Sequence, residues 1–246
     1  MEQQTCKNCG TSYSGKYCNN CRQPADTYRI SWMELAHHLP HALFHADKGL
    51  LYTFRNLTLN PGNSIRDYIQ GKRVYHFNPL LYLILMGGLT TFLYNLLHID
   101  PPNSEIDLNK IEGINSTLSH KYFAVVGLIF ILLLTITDYL FYFNKKYLMP
   151  ELVVSNFFQA GQIMVFTLLV IPLFLFQSWL SGHYDVNVDF HLPFKIFCAA
   201  FLFFVRYQFY QAKGNYLFIF KIIIQLILVS VLYNVVITKF ISDLIK

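Results

Sequence analysis

Charge is what this chain has least of. Only 13% of its 246 residues are Asp, Glu, Lys or Arg, against about 25% in an ordinary soluble domain. So little charge argues against a globule exposed to water on all sides. The start, Met1-Glu2-Gln3-Gln4-Thr5-Cys6, has no apolar h-region. No cleavable signal peptide is therefore expected, and the first hydrophobic segment must itself direct insertion. Cysteine is scarce beyond residue 21, where Cys198 in an apolar stretch is the fifth of five. No Ser-His-Asp arrangement, phosphate-cradling glycine loop or paired-carboxylate constellation can be argued for, and no internal repeat or low-complexity tract is present. With no recognisable catalytic set, the chain reads as non-enzymatic.

What is there is apolar. Hydrophobic residues make up 54% and aromatics 17%. Five stretches approach the roughly 20 helical residues that cross a bilayer: Pro79–His98, Lys121–Phe143, Phe158–Leu180, His191–Tyr210 and Tyr216–Phe240. The fourth has the shortest apolar core, Ile196–Val205, and a buried re-entrant segment is its rival. The fold expected is an all-α polytopic membrane protein with a small N-terminal zinc ribbon.

The 19 Lys/Arg and 14 Asp/Glu are unevenly placed. Residues 1–78 carry nine basic and five acidic groups, a net of +4. Basic residues in short loops stay on the inner side of a membrane. Arg66, Lys72 and Arg73 precede the first span, and the loop after it is acidic, with Asp100, Glu105, Asp107 and Glu112 against Lys110. Lys145 and Lys146 follow, then Asp185 and Asp189 without Lys or Arg, then Lys213. The alternation places the N-terminus inside, in the cytoplasm, with only Lys239 and Lys246 discordant. A nucleic-acid partner is not expected, because carboxylates are mixed into the basic region. Membrane lipids are.

Three units follow: residues 1–24 as the ribbon, 25–78 as cytoplasmic amphipathic helices at the membrane interface, and 79–246 as the transmembrane helices. In the middle unit, Ser31-Trp32-Met33-Glu34 has the pattern of a capping box. Trp32, Leu35, Leu39 and Leu43 form one helical stripe, which Pro40 is expected to split. Asn60-Pro61-Gly62-Asn63 reads as a turn, and a short helix should stop at Gly71.

Cys6-Lys7-Asn8-Cys9 and Cys18-Asn19-Asn20-Cys21 are two Cys-x-x-Cys knuckles. Eight residues apart, they can bring four thiolates to the corners of a tetrahedron, the geometry of closed structural zinc sites. An iron centre or a redox dithiol pair are the rivals. Four thiolates leave no open position, so the expected cofactor is structural Zn2+. His37, His41 and His45 have the i, i+4 spacing that chelates a second metal or senses pH, with His38 beside them, although Pro40 disturbs the spacing and the Glu of the zinc-protease helix signature is missing. Inside the spans, Asp138, Arg206 and Lys221 share one inferred depth with Gln159 and Gln162 nearby; ionisable residues there are costly and point to function. They form a candidate intramembrane polar cluster, with snorkelling of Arg206 and Lys221 as the plainer reading. Lys72 and Arg73 are a candidate lipid-headgroup contact or simply the positive anchor of the first span.

After the knuckles come Lys48-Gly49-Leu50-Leu51-Tyr52-Thr53-Phe54-Arg55-Asn56-Leu57, Asn60-Pro61-Gly62, Arg66-Asp67-Tyr68-Ile69-Gln70-Gly71-Lys72-Arg73 and Phe77-Asn78-Pro79. This series resembles the bacterial membrane proteins grouped as domain of unknown function 3667, closely over residues 6–98. One departure is Cys21-Arg22-Gln23, where the family usually has Cys-Gly-Gln; a non-glycine there is expected to strain the knuckle. The resemblance implies a bacterial inner-membrane location and four metal-ligating cysteines, and no activity. Two functions are carried forward. The first is a non-enzymatic scaffold that docks a cytoplasmic protein partner through the ribbon. The second is a transporter or lipid-handling protein that uses the polar cluster.

Overall fold

The computed structural model describes residues 3–27, 29–33, 49–96, 123–143, 147–181 and 191–245. Among them are a two-stranded antiparallel hairpin, β1 (Gln4–Thr5) with β2 (Ser12–Tyr13), and seven helices. The helices are α1 (Gly49–Leu59), α2 (Pro61–Ile69), α3 (Pro79–Leu96), α4 (Phe123–Tyr142), α5 (Met149–Ser181), α6 (His191–Phe209) and α7 (Tyr216–Ile245). The chain is mostly helical. Two segments, Met149–Pro172 and Tyr216–Val236, are long and apolar enough to cross a membrane, and Pro79–Leu93 and Gly127–Tyr142 are shorter apolar runs.

Short polar signals set the helix ends. Asn78 Oδ1 accepts from the amides of Leu80 and Leu81 at 3.0 and 3.2 Å, satisfying two donors of the first turn of α3. At α5, Glu151 accepts from the Leu148 amide at 2.8 Å. This moves the start of that helix nine residues ahead of the expected Phe158. The polar residues of the added turns face the protein interior, so they are invisible to a search for apolar runs.

A second difference lies at residues 60–63. The Asn-Pro-Gly-Asn pattern is the start of α2, with Asn60 as N-cap and Pro61 in the first turn, where a missing amide costs nothing. The other end of α2 follows expectation. Gln70 is the C-cap and Gly71 has φ +103°. Lys72 N bonds Asp67 O at 2.9 Å, the six-to-one closure of a helix that ends on a left-handed residue.

α5 is the central helix, packed against α3 and α4 and touched by α1, α2 and α6, while α7 leans on α4 and α6. The main core gathers Leu57, Ile65, Phe77, Tyr82, Phe158, Val205, Phe209 and Ile222. α1 and α2 are thus built into the helix bundle. The α2–α6 contact is the tightest: a Cβ on Gly62 would stand 2.5 Å from Phe209 N and against Val205 O. Arg66 crosses the same contact, its Nη1 donating to Gln208 O and Phe209 O at 3.0 and 3.2 Å, a cation on the carbonyl end of α6.

Candidate functional site

In the ribbon, Cys6, Cys9, Cys18 and Cys21 converge. Their sulfurs all lie within 4.8 Å of one another, with Cys6–Cys21 and Cys9–Cys18 each at 3.5 Å. All four are free thiols. A tetrahedral zinc–thiolate site with bonds of about 2.3 Å has sulfurs roughly 3.8 Å apart, so the cluster fits a metal ion. Tyr13 packs against three of these cysteines, and the small core has no other fully buried member. Hydrogen bonding with Thr11 lowers the Cys9 thiol to about 6, and burial pushes Cys21 up to about 11. Arg22 has φ +61°, the left-handed conformation that glycine enters freely and an L side chain resists. The strain expected at Cys21-Arg22-Gln23 is present.

Lys72 and Arg73 follow α2 directly and are engaged locally. Lys72 Nζ pairs with Asp67 at 2.8 Å, both side chains about two-fifths exposed. Arg73 Nε donates to Tyr68 O at 3.2 Å, and its guanidinium carbon lies 5.4 Å from the Tyr68 ring centre. Beside them, His76 stands edge-on to Tyr52 and Tyr68, 3.0 Å from Ser64 Oγ. Burial pushes its imidazole down from 6.5 to about 4. The unfolded chain therefore takes up a proton first as pH falls, and stability held above about pH 6.5 drains away towards pH 4. His76→Asn is expected to flatten that part of a thermal-stability profile relative to the unchanged chain. Parallel profiles would show that His76 does not contribute.

Between the helices lies a second constellation. Arg206 and Asp138 are almost fully buried and paired at 3.2 Å. Arg206 Nη1 donates to Gln159 Oε1 at 2.8 Å, and its Nε to Gln225 Oε1 at 3.1 Å. Gln225 Nε2 donates to Asp138 Oδ1 at 2.7 Å, and Asn156 Nδ2 to Asp138 Oδ2 at 3.1 Å. Tyr142 OH closes the edge by donating to Gln225 at 2.8 Å. Four helices, α4 to α7, thus meet at one polar knot. Lys221 stands apart from it, exposed with Nζ 5.7 Å from the Tyr142 ring centre. Gln162 joins a separate bridge, accepting from Tyr82 OH at 2.6 Å and donating to Thr58 at 3.0 Å.

Gln225 and Asn156 were missed by sequence reasoning. A glutamine amid the apolar run Ile222-Ile223-Ile224-Gln225-Leu226-Ile227 was signal enough to raise the question. Every buried side-chain nitrogen and oxygen of the knot has a partner: among the described residues, His76 Nδ1 is the one such atom without a hydrogen bond. His37, His38, His41 and His45 lie outside the described residues, as does most of the Trp32–Leu43 stripe.

α1, α2 and the first turns of α3 hold the motif series that bears the family resemblance. Residues 47–91 match the family described as protein of unknown function (DUF3667). Gly62, Arg66, Gly71 and the Asn78 cap fall within the matched residues, whereas the α6 side of the tightest joint, Val205 to Phe209, falls outside them. No curated protein and no solved structure matches the chain.

Proposed function

We propose that this chain is a multi-pass protein of the bacterial inner membrane, with five spans and a cytoplasmic N-terminus. In this reading the ribbon holds a structural zinc ion and docks a cytoplasmic protein partner, with no catalytic step. The observation that carries the membrane reading is an inside-out distribution. Asp138, Arg206, Gln159 and Gln225 are in the core, while Leu85 and Phe92 of α3, Leu132 and Leu140 of α4, Ile196 of α6 and Phe220, Ile227 and Val235 of α7 are exposed. Water would punish both halves of that arrangement, and a bilayer rewards both. The 33-residue α5 is about 50 Å long, more than the roughly 30 Å hydrocarbon layer. Its first turns can thus stand in the headgroup region among α1, α2 and the ribbon.

The chemistry of the donors supports zinc: four cysteines, no histidine or carboxylate, with all sulfurs within 4.8 Å of one another. Bound there, zinc supplies a cross-link and no open coordination position. The Asp138–Arg206 knot favours a helix-joining role over a transport site, because each guanidinium nitrogen of Arg206 already has a partner on the helices. Purified chain is expected to carry one zinc, and Cys9→Ser to carry none and to lose any protein partner that the unchanged chain retains. A tag fused before Met1 should be unreachable from outside intact cells. A metal-free unchanged chain, or a tag accessible from outside, overturns the reading.

A further inference from the structure

Gln23 follows the second knuckle directly, and its side chain is buried against the helical part of the molecule. The carboxamide Nε2 donates to Gly71 O at 2.8 Å, and Oε1 accepts from the Arg73 amide at 3.3 Å. The backbone of Gln23 belongs to the ribbon: its carbonyl accepts from the Cys18 amide at 2.9 Å, and the Cys18 carbonyl accepts from Arg22 N at 2.9 Å. Lys7, inside the first knuckle, presses on the same spot. Its Cδ lies 3.0 Å from where a Cβ on Gly71 would stand, and its Nζ reaches Thr27 O at 2.5 Å. Both knuckles therefore rest on one turn, the bare backbone at the end of α2.

The loop that aims Gln23 does not hold its shape unaided. Arg22 sits in a left-handed conformation that its β-carbon disfavours. The ribbon core is only Cys6, Tyr13, Cys18 and Cys21 with Ala25 alongside, too little apolar surface to fix a fold. Closure of four thiolates on an ion supplies the missing constraint.

We propose that Gln23 is a metal-set latch. With the cysteine site closed, residues 18–23 hold the shape that seats the ribbon on Gly71–Arg73. Without the ion, Arg22 relaxes, Gln23 swings away, and the ribbon leaves the turn between α2 and α3. Ribbon position relative to the helices thereby reports metal occupancy. The latch rests on the metal reading above.

Hydrogen–deuterium exchange of the full chain in detergent micelles, read on peptides covering residues 68–76, tests this when zinc content is measured on the same samples. The zinc-loaded chain should protect the Arg73 amide, and chelator-stripped chain should exchange it about tenfold faster, the scale of one buried hydrogen bond. Gln23→Ala should keep its zinc and exchange as fast as the stripped chain. Gln23→Glu can accept from Arg73 but cannot donate to Gly71, and should fall between. Equal protection with and without zinc, or full protection in zinc-loaded Gln23→Ala, overturns the latch and leaves the metal reading standing. A chain that takes up no zinc removes both.

Discussion

Asp138→Ala is expected to destabilise the helix bundle by about 3–5 kcal/mol, the scale of a buried pair broken on one side. The reason is not the lost hydrogen bonds, since one interhelical bond between membrane helices contributes only about 0.6 kcal/mol. It is the guanidinium of Arg206, 1% exposed, left beside the amides of Gln159 and Gln225 with no countercharge. Paired replacement should be milder. Asp138→Leu with Arg206→Met removes both charges together and keeps the volume, a change that is often neutral, although Gln159, Gln225 and Asn156 then lose partners. Thermal unfolding of purified chain in detergent, run as a cycle of the two single variants and the double, measures the coupling. If the single effects simply add, the pair is not coupled and the knot does not hold the helices together.

Gly62→Ala is the second large effect, about 3 kcal/mol of overpacking from a single methyl group. The added carbon would meet main-chain atoms of α6, Val205 O and Phe209 N, and neither can swing aside as a side chain could. α2 must lift, which also breaks the bond from Gly62 N to Gln208 Oε1 at 3.0 Å and draws Arg66 away from the α6 carbonyls. Gly88→Ala is the matched control within the same DUF3667 segment. Nothing lies within 4 Å of its added carbon, and helix propensity alone favours alanine there. The expected outcome is a sharp drop in the thermal midpoint for Gly62→Ala and little change or a slight rise for Gly88→Ala. Equal midpoints for the two variants would mean that the α2–α6 contact does not bear on stability.

Much of this protein can be read residue by residue. The knuckle spacing alone brings four sulfurs together, because two short loops of fixed span have few ways to close. The end of α2 at Gly71 was equally legible, since a glycine in that place marks a left-handed cap. The departure at Arg22 announced its own strain. Proximity across helices was partly legible: Asp138, Arg206 and Gln159 could be grouped by depth, because helical rise converts sequence position into height.

Rotation about each helix axis could not be read in the same way. Depth does not say which face a side chain presents: Lys221 shares the depth of the Asp138–Arg206 pair but lies exposed, whereas Gln225, one turn further along the same helix, bonds both members. Nor could a run of apolar letters show that α5 begins at Met149, because those added turns are polar and buried. The seating of the ribbon on α2 needed the folded chain most of all: Gln23 and Gly71 are 48 residues apart, and nothing local links them. The sequence by itself determined the four-cysteine cluster, the end of α2 and the apolar character. Tertiary structure alone decided which polar groups meet and where two backbones touch, since contacts between distant segments depend on helix rotation and close packing that no local pattern encodes.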